Sequence, residues 1–147
     1  MIKRIVLPVI ILLTACVFSG CNTLSTRGKE LVDNAPSYMH IAEYADTNLR
    51  TEEYSTSKDH YMVMLSDIAD IDEISSDVKV AMQDYTYFWI EECYVQFWNN
   101  ETKTEGILCT FDSDKGIKEL KSWYDGVQTE KLAENCYLVY QSRSWIG

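Results

Sequence analysis

The sequence predicts a small α+β domain with an antiparallel sheet, and three stretches carry that prediction. Residues 85–98 are crowded with aromatic and β-branched side chains, a polar turn-like stretch follows, and Ile107 to Phe111 is a second short apolar run. Together they read as a hairpin of about 85–98 and 106–111. Ile117, Leu120, Trp123 and Tyr124 form one apolar stripe at helical spacing, which places a helix over 114–125. Cys136 to Gln141 then supplies a C-terminal strand, and the whole sheet is expected to pack with two or three helices.

Taken in chain order, the first element is a targeting segment. Lys3 and Arg4 precede an apolar stretch from Ile5 to Phe18, and the small pair Ser19-Gly20 stands directly before Cys21. This is the layout of a secretory signal, residues 1–20. The apolar run is broken by Pro8, Thr14 and Cys16 and is shorter than the ~20 residues a membrane-crossing helix needs. Phe18-Ser19-Gly20-Cys21 resembles the lipobox of bacterial lipoproteins, which implies that the Cys21 thiol receives a diacylglyceryl group and that Cys21 becomes the new N-terminus. Leu13-Thr14-Ala15-Cys16 fits the same pattern, so Cys16 is the alternative. Cys21 is expected because Asn22-Thr23 begins a polar segment at once, whereas cleavage at Cys16 leaves Val17 and Phe18 exposed. Cys21-Asn22-Thr23 with Arg27-Gly28 also resembles the start of the much shorter entericidin-type lipoproteins. By resemblance to Gram-negative lipoproteins, Asn22 in place of aspartate implies the outer membrane, on its periplasmic or surface face. Two or three acyl chains hold stably at about 0.8 kcal/mol per buried methylene.

Residues 21–36 are mostly polar and end at Pro36, and they read as the lipidated cysteine and a flexible tether with one helical turn near Lys29. Residues 37–147 form a single globular domain. Within it Tyr38 to Leu49 has helical spacing behind Ser37, though its first half also alternates as a strand would, Arg50 to Asp59 reads as a loop, and His60 to Leu65 as a short strand. A further helix lies within 67–83. The aromatic stretch 85–98 is apolar on both parities, so both of its faces are expected to be covered, either as one strand or as two broken near Glu91-Glu92. Asp112, Ser113 and Asp114 offer N-cap oxygens to the last helix, and Gly126 sits where helices end.

The full chain carries 13 basic and 23 acidic residues; removal of residues 1–20 takes away Lys3 and Arg4 only, leaving a net charge of −12. That charge repels nucleic acid and anionic lipid surfaces and points to a cationic envelope or extracellular protein as partner. Membrane contact is expected only through the lipid anchor.

No cofactor or metal motif is present. His40 and His60 have no Cys, Asp or Glu at zinc-ligand spacing, and no Gly-x-Ser-x-Gly elbow occurs. The acidic residues Asp67, Asp70, Asp72, Glu73 and Asp77 lack the order of a calcium loop and read as a solvated helical face. Glu91 and Glu92 are neighbours in a strand, so they point to opposite faces, one to solvent and one to an edge or a cation. The four tryptophans and ten tyrosines suit a core first and a binding surface second. Cys93, Cys109 and Cys136 remain after export, to a compartment where disulfides persist. A hairpin turn centred near Glu101 sets Cys93 opposite Cys109, and a bridge between them is the expectation, with Cys136 free. The functional expectation is a non-enzymatic protein-binding or structural module of the envelope. The alternatives are a tethered inhibitor of a cationic enzyme such as lysozyme, and a hydrolase with a dispersed active site.

Overall fold

A computed structural model describes residues 23–99 and 104–141. Both candidate lipidation sites, Cys21 and Cys16, lie outside the described residues. The described chain opens with α1 (Thr26–Leu31), a 3-10 turn at Val32–Asn34 and α2 (Ala35–Asn48). This corrects the expectation of a flexible tether reaching residue 36. The Ser25 hydroxyl accepts from the Gly28 N–H at 3.0 Å, which caps α1, and donates to Glu130 Oε2 at 2.7 Å, which ties the helix to a distant strand. A Cβ on Gly28 would stand 2.5 Å from Glu130 Oε1, so a larger residue there would displace the Glu130 carboxylate from Ser25. Leu31 is buried, and Arg27 spreads its guanidinium over Glu105 at 2.9 Å, Glu30 at 3.1 Å and Asp84 at 3.3 Å. The segment is polar because its charged groups are bonded to the domain, not because it stands off in water. Pro36 lies in the first turn of α2, where its missing N–H removes no helical bond.

After α2 come β1 (Ser55–Ser57), β2 (His60–Met64), a 3-10 turn at Leu65–Ile68, α3 (Ser75–Ala81), β3 (Tyr85–Ile90), β4 (Tyr94–Asn99), β5 (Glu105–Thr110), α4 (Ser113–Trp123), β6 (Gln128–Ala133) and β7 (Cys136–Tyr140). The strands make one antiparallel sheet in the order β1-β2-β3-β4-β5-β7-β6. The class is the α+β class predicted, and the hairpin and last strand are where the sequence puts them. The sheet, at seven strands, is larger than the small one expected.

Alternation along the strands sorts side chains onto two faces. On one, Phe88, Ile90, Val95, Phe97, Ile107 and Leu138 pack under Leu31, Tyr38, Ile41, Ala45 and Val78 from α1, α2 and α3. On the other, Trp98, Leu108 and Val139 pack under Leu120 of α4 and Val127. Every residue of β4 is therefore buried, as its double-parity apolar pattern requires. Asp112 accepts from the Lys115 N–H at 3.2 Å and caps α4. Among the described residues no helix is long and apolar enough to cross a membrane.

Candidate functional site

The two faces are not equally covered by the described residues. α1, α2 and α3 serve the first face, while among the described elements α4 alone lies on the second and packs towards β5. Its half over β2, β3 and β4 is therefore left as an open cleft of about 430 Å³, within the size range of ligand sites. The period of two aims His60 and Met62 from β2, Tyr87 and Trp89 from β3, and Tyr94, Gln96 and Trp98 from β4 into it. The end of α4 supplies Trp123 and Tyr124 as a wall. Trp123 is 61% exposed at the rim, and Met62 is exposed as well. The rings are held by one another: Tyr87 stacks on Trp98, Tyr124 meets Trp98 edge-on at 6.2 Å, and Trp123 meets the His60 ring edge-on at 6.0 Å.

One carboxylate lines the cleft. Glu91 follows the end of β3, is buried, and makes a short contact with His60 Nδ1. Burial raises its pKa above the usual carboxylate value, the His60 ring opposes the rise, Glu119 adds to it and Arg50 opposes it. Arg50 reaches the backbone carbonyl of Glu91 at 2.6 Å while bound to Asp46 at 2.6 Å, and it lies over the Tyr61 ring. Burial and then the Glu91 charge push Tyr124 up to about 12, and Tyr94 is raised by the same two causes, so both are neutral phenols at neutral pH. Gln96 is only 2% exposed, and its Nε2 has no hydrogen-bond partner among the described residues. Among the described residues no lysine, arginine, aspartate, serine, threonine or cysteine lines the cleft. Such a lining can hold a ligand by ring faces, one carboxylate and one amide donor, and among the described residues it brings no second carboxylate beside Glu91 for paired acid–base work.

The expected bridge between Cys93 and Cys109 is corrected. Opposed residues of β4 and β5 centre on position 102, one later than expected, so Val95 rather than Cys93 faces Cys109. Cys93 falls in the turn between β3 and β4 and packs with the cleft-side cluster, whereas Cys109 lies in the core under the helices. All three described cysteines are free thiols, and Cys109 stands directly opposite Cys136. Glu91 and Glu92 lie in the turn between β3 and β4 rather than within a strand, so the turn and not strand alternation separates them, with Glu91 against His60 and Glu92 exposed. The acidic residues around α3 are also mostly exposed; among the described residues no group of three or more His, Cys, Asp or Glu is placed to hold a metal ion. The sequence did not place Gln96, and it gave Trp123 to a helix stripe and weighed His60 only as a metal ligand; the available signal for the cleft was the even spacing of Tyr94, Gln96 and Trp98, a polar residue inside an otherwise apolar strand face. No protein-family model, curated protein or solved structure matches the chain.

Proposed function

We propose that the protein is a lipoprotein of the bacterial envelope, anchored through Cys21, whose domain is a non-enzymatic module that binds another protein through the aromatic cleft. The observation that supports this most is the open sheet face with Trp123 on its rim, since an exposed tryptophan beside a ring-lined hollow is the anatomy of an interface hot spot. A tethered inhibitor of a cationic enzyme is the narrower form of the same reading and rests on the charge of −12 after removal of residues 1–20.

One observation favours a second reading, an enzyme. Glu91 has a raised pKa and a histidine partner, the environment of a general acid. Among the described residues the lining brings no serine, cysteine or second carboxylate to Glu91, which weighs against it.

The test is site-specific photocrosslinking in native membranes, with a photoreactive phenylalanine at Trp123 and, as control, at Met82, an exposed apolar residue at the end of α3. The expected result is a discrete protein adduct from position 123 and none from 82. Equal adducts from both positions, or none from 123, would remove the cleft as the binding face.

A further inference from the structure

We infer that the cleft takes a basic segment of a protein partner, with a lysine or arginine side chain held between the aromatic rings and the Glu91 carboxylate and a backbone carbonyl of the same segment accepting from Gln96. The inference deepens the binding-module reading and rests on it.

Three independent features of the lining set this chemistry. The first is charge: among the described residues Glu91 is the one carboxylate that lines the cleft, no lysine or arginine lines it, and Glu119 lies close enough to add to the negative field. A buried carboxylate needs more compensation than one imidazole and a guanidinium engaged elsewhere supply, and a second cation provides it. An anionic ligand would face the Glu91 carboxylate and the field of Glu119. The second feature is the rings. Trp89, Trp98, Trp123 and the neighbouring tyrosines turn several ring systems towards one hollow, and ring faces attract ammonium and guanidinium groups, most strongly where water is excluded. They also bury the methylene stem that both basic side chains carry.

The third feature is the amide. Gln96 is buried on the cleft floor with Nε2 unpartnered among the described residues, and a buried donor without an acceptor is costly to leave so. An alkylammonium ion has no lone pair to offer it, whereas a peptide carries a carbonyl at every residue. The donor thus separates a basic peptide from a small organic cation. Gly106 lies beside this floor, where a Cβ would make only ordinary contact with Gln96 Nε2 at 3.5 Å but would stand 2.5 Å from the Phe97 backbone oxygen, so the close approach of the strands is what requires glycine there.

The experiment uses the full lipidated protein in detergent micelles and three blocked pentapeptides that differ only at the centre, with arginine, citrulline or glutamate. An N-acetylglucosamine oligosaccharide is the fourth probe. Binding is read by tryptophan fluorescence and by calorimetry up to millimolar ligand. The expected result is saturable binding of the arginine peptide, at least tenfold weaker with citrulline, undetectable with glutamate, and weakened at least tenfold in Glu91→Gln. In Gln96→Leu the arginine peptide should also weaken, with the preference over citrulline retained. Equal binding of the arginine and citrulline peptides, lost in Trp123→Ala, would overturn the cation inference and leave the cleft a binding face. Binding of the oligosaccharide alone would overturn the peptide and keep the cleft. Failure of every probe, together with no adduct from position 123, would overturn both readings.

Discussion

Cys109 and Cys136 are expected to close a disulfide when the protein folds in an oxidising compartment. The two residues are directly opposed on β5 and β7, and the adjoining pair is hydrogen-bonded, with the Thr110 N–H donating to the Asn135 carbonyl at 2.8 Å. Alternation of an antiparallel ladder then makes Cys109 and Cys136 a non-hydrogen-bonded pair, whose Cα atoms lie about 4.5 Å apart, at the short end of the disulfide range. Both are fully buried, and burial, then the Cys136 thiol, holds Cys109 well above the usual thiol pKa. Exchange needs a thiolate, so the bond forms before the core closes: the two thiols lose two protons, and their two electrons go to a disulfide donor such as oxidised glutathione. The loop runs 28 residues from Cys109 to Cys136. Chain-entropy loss in the unfolded state over that length stabilises the fold by about 3.6 kcal/mol. With a urea m-value of about 1–3 kcal/mol/M, the oxidised chain unfolds at least about 1 M later than the same chain with dithiothreitol. Tryptophan fluorescence reads the transition, and non-reducing peptide mapping reads the bond. A bridge containing Cys93, or free thiols at both positions in protein taken from the envelope, would refute the argument.

Three further outcomes follow from the packing. The Tyr85 hydroxyl is buried with no hydrogen-bond partner among the described residues, so Tyr85→Phe is expected to stabilise by about 1 kcal/mol in urea unfolding, and a loss of that size would show a hidden partner. Gly106→Ala puts a Cβ 2.5 Å from the Phe97 backbone oxygen and must spread β4 and β5, costing about 1–3 kcal/mol; an unchanged midpoint would contradict that register. Glu91 has its folded pKa raised, by burial first with His60 opposing, so the folded state holds that proton to higher pH than the unfolded chain. Its contribution is present below the unfolded value near 4.5 and is lost as pH rises through the folded value, so the stability of wild type relative to Glu91→Gln should fall over that window. A relative stability that rises with pH would mean that His60 outweighs burial.

The central elements of the fold were legible because they are amphipathic or doubly apolar. Asp112 announced the start of α4, and the two apolar parities of 85–98 announced a covered strand. The edges were not. β1 is Ser-Thr-Ser and β6 is Gln-Thr-Glu-Lys-Leu-Ala, polar strands of the kind that keep sheet edges from pairing with other chains, and they carry little hydrophobic alternation. Their turns did leave a trace, since Asp59 and Asn135 both take positive φ, a conformation these two residue types tolerate. α1 was hidden for a different reason. Its hold on the domain comes from Ser25 and Arg27 reaching Glu130 and Glu105, partners about eighty residues or more away that no local pattern reveals. The cleft was half legible: the aromatic content suggested core or surface, and which rings do which depends on where α4 stops covering the sheet.

Compartment, disulfide and partner all depend on export and on the lipid at Cys21. Mass spectrometry of the N-terminal peptide of protein extracted from membranes tests that most directly. The account predicts a peptide beginning at Cys21, heavier than its sequence by a thioether-linked diacylglyceryl group. A modified peptide beginning at Cys16 would move the anchor, and an unmodified N-terminus would contradict the account.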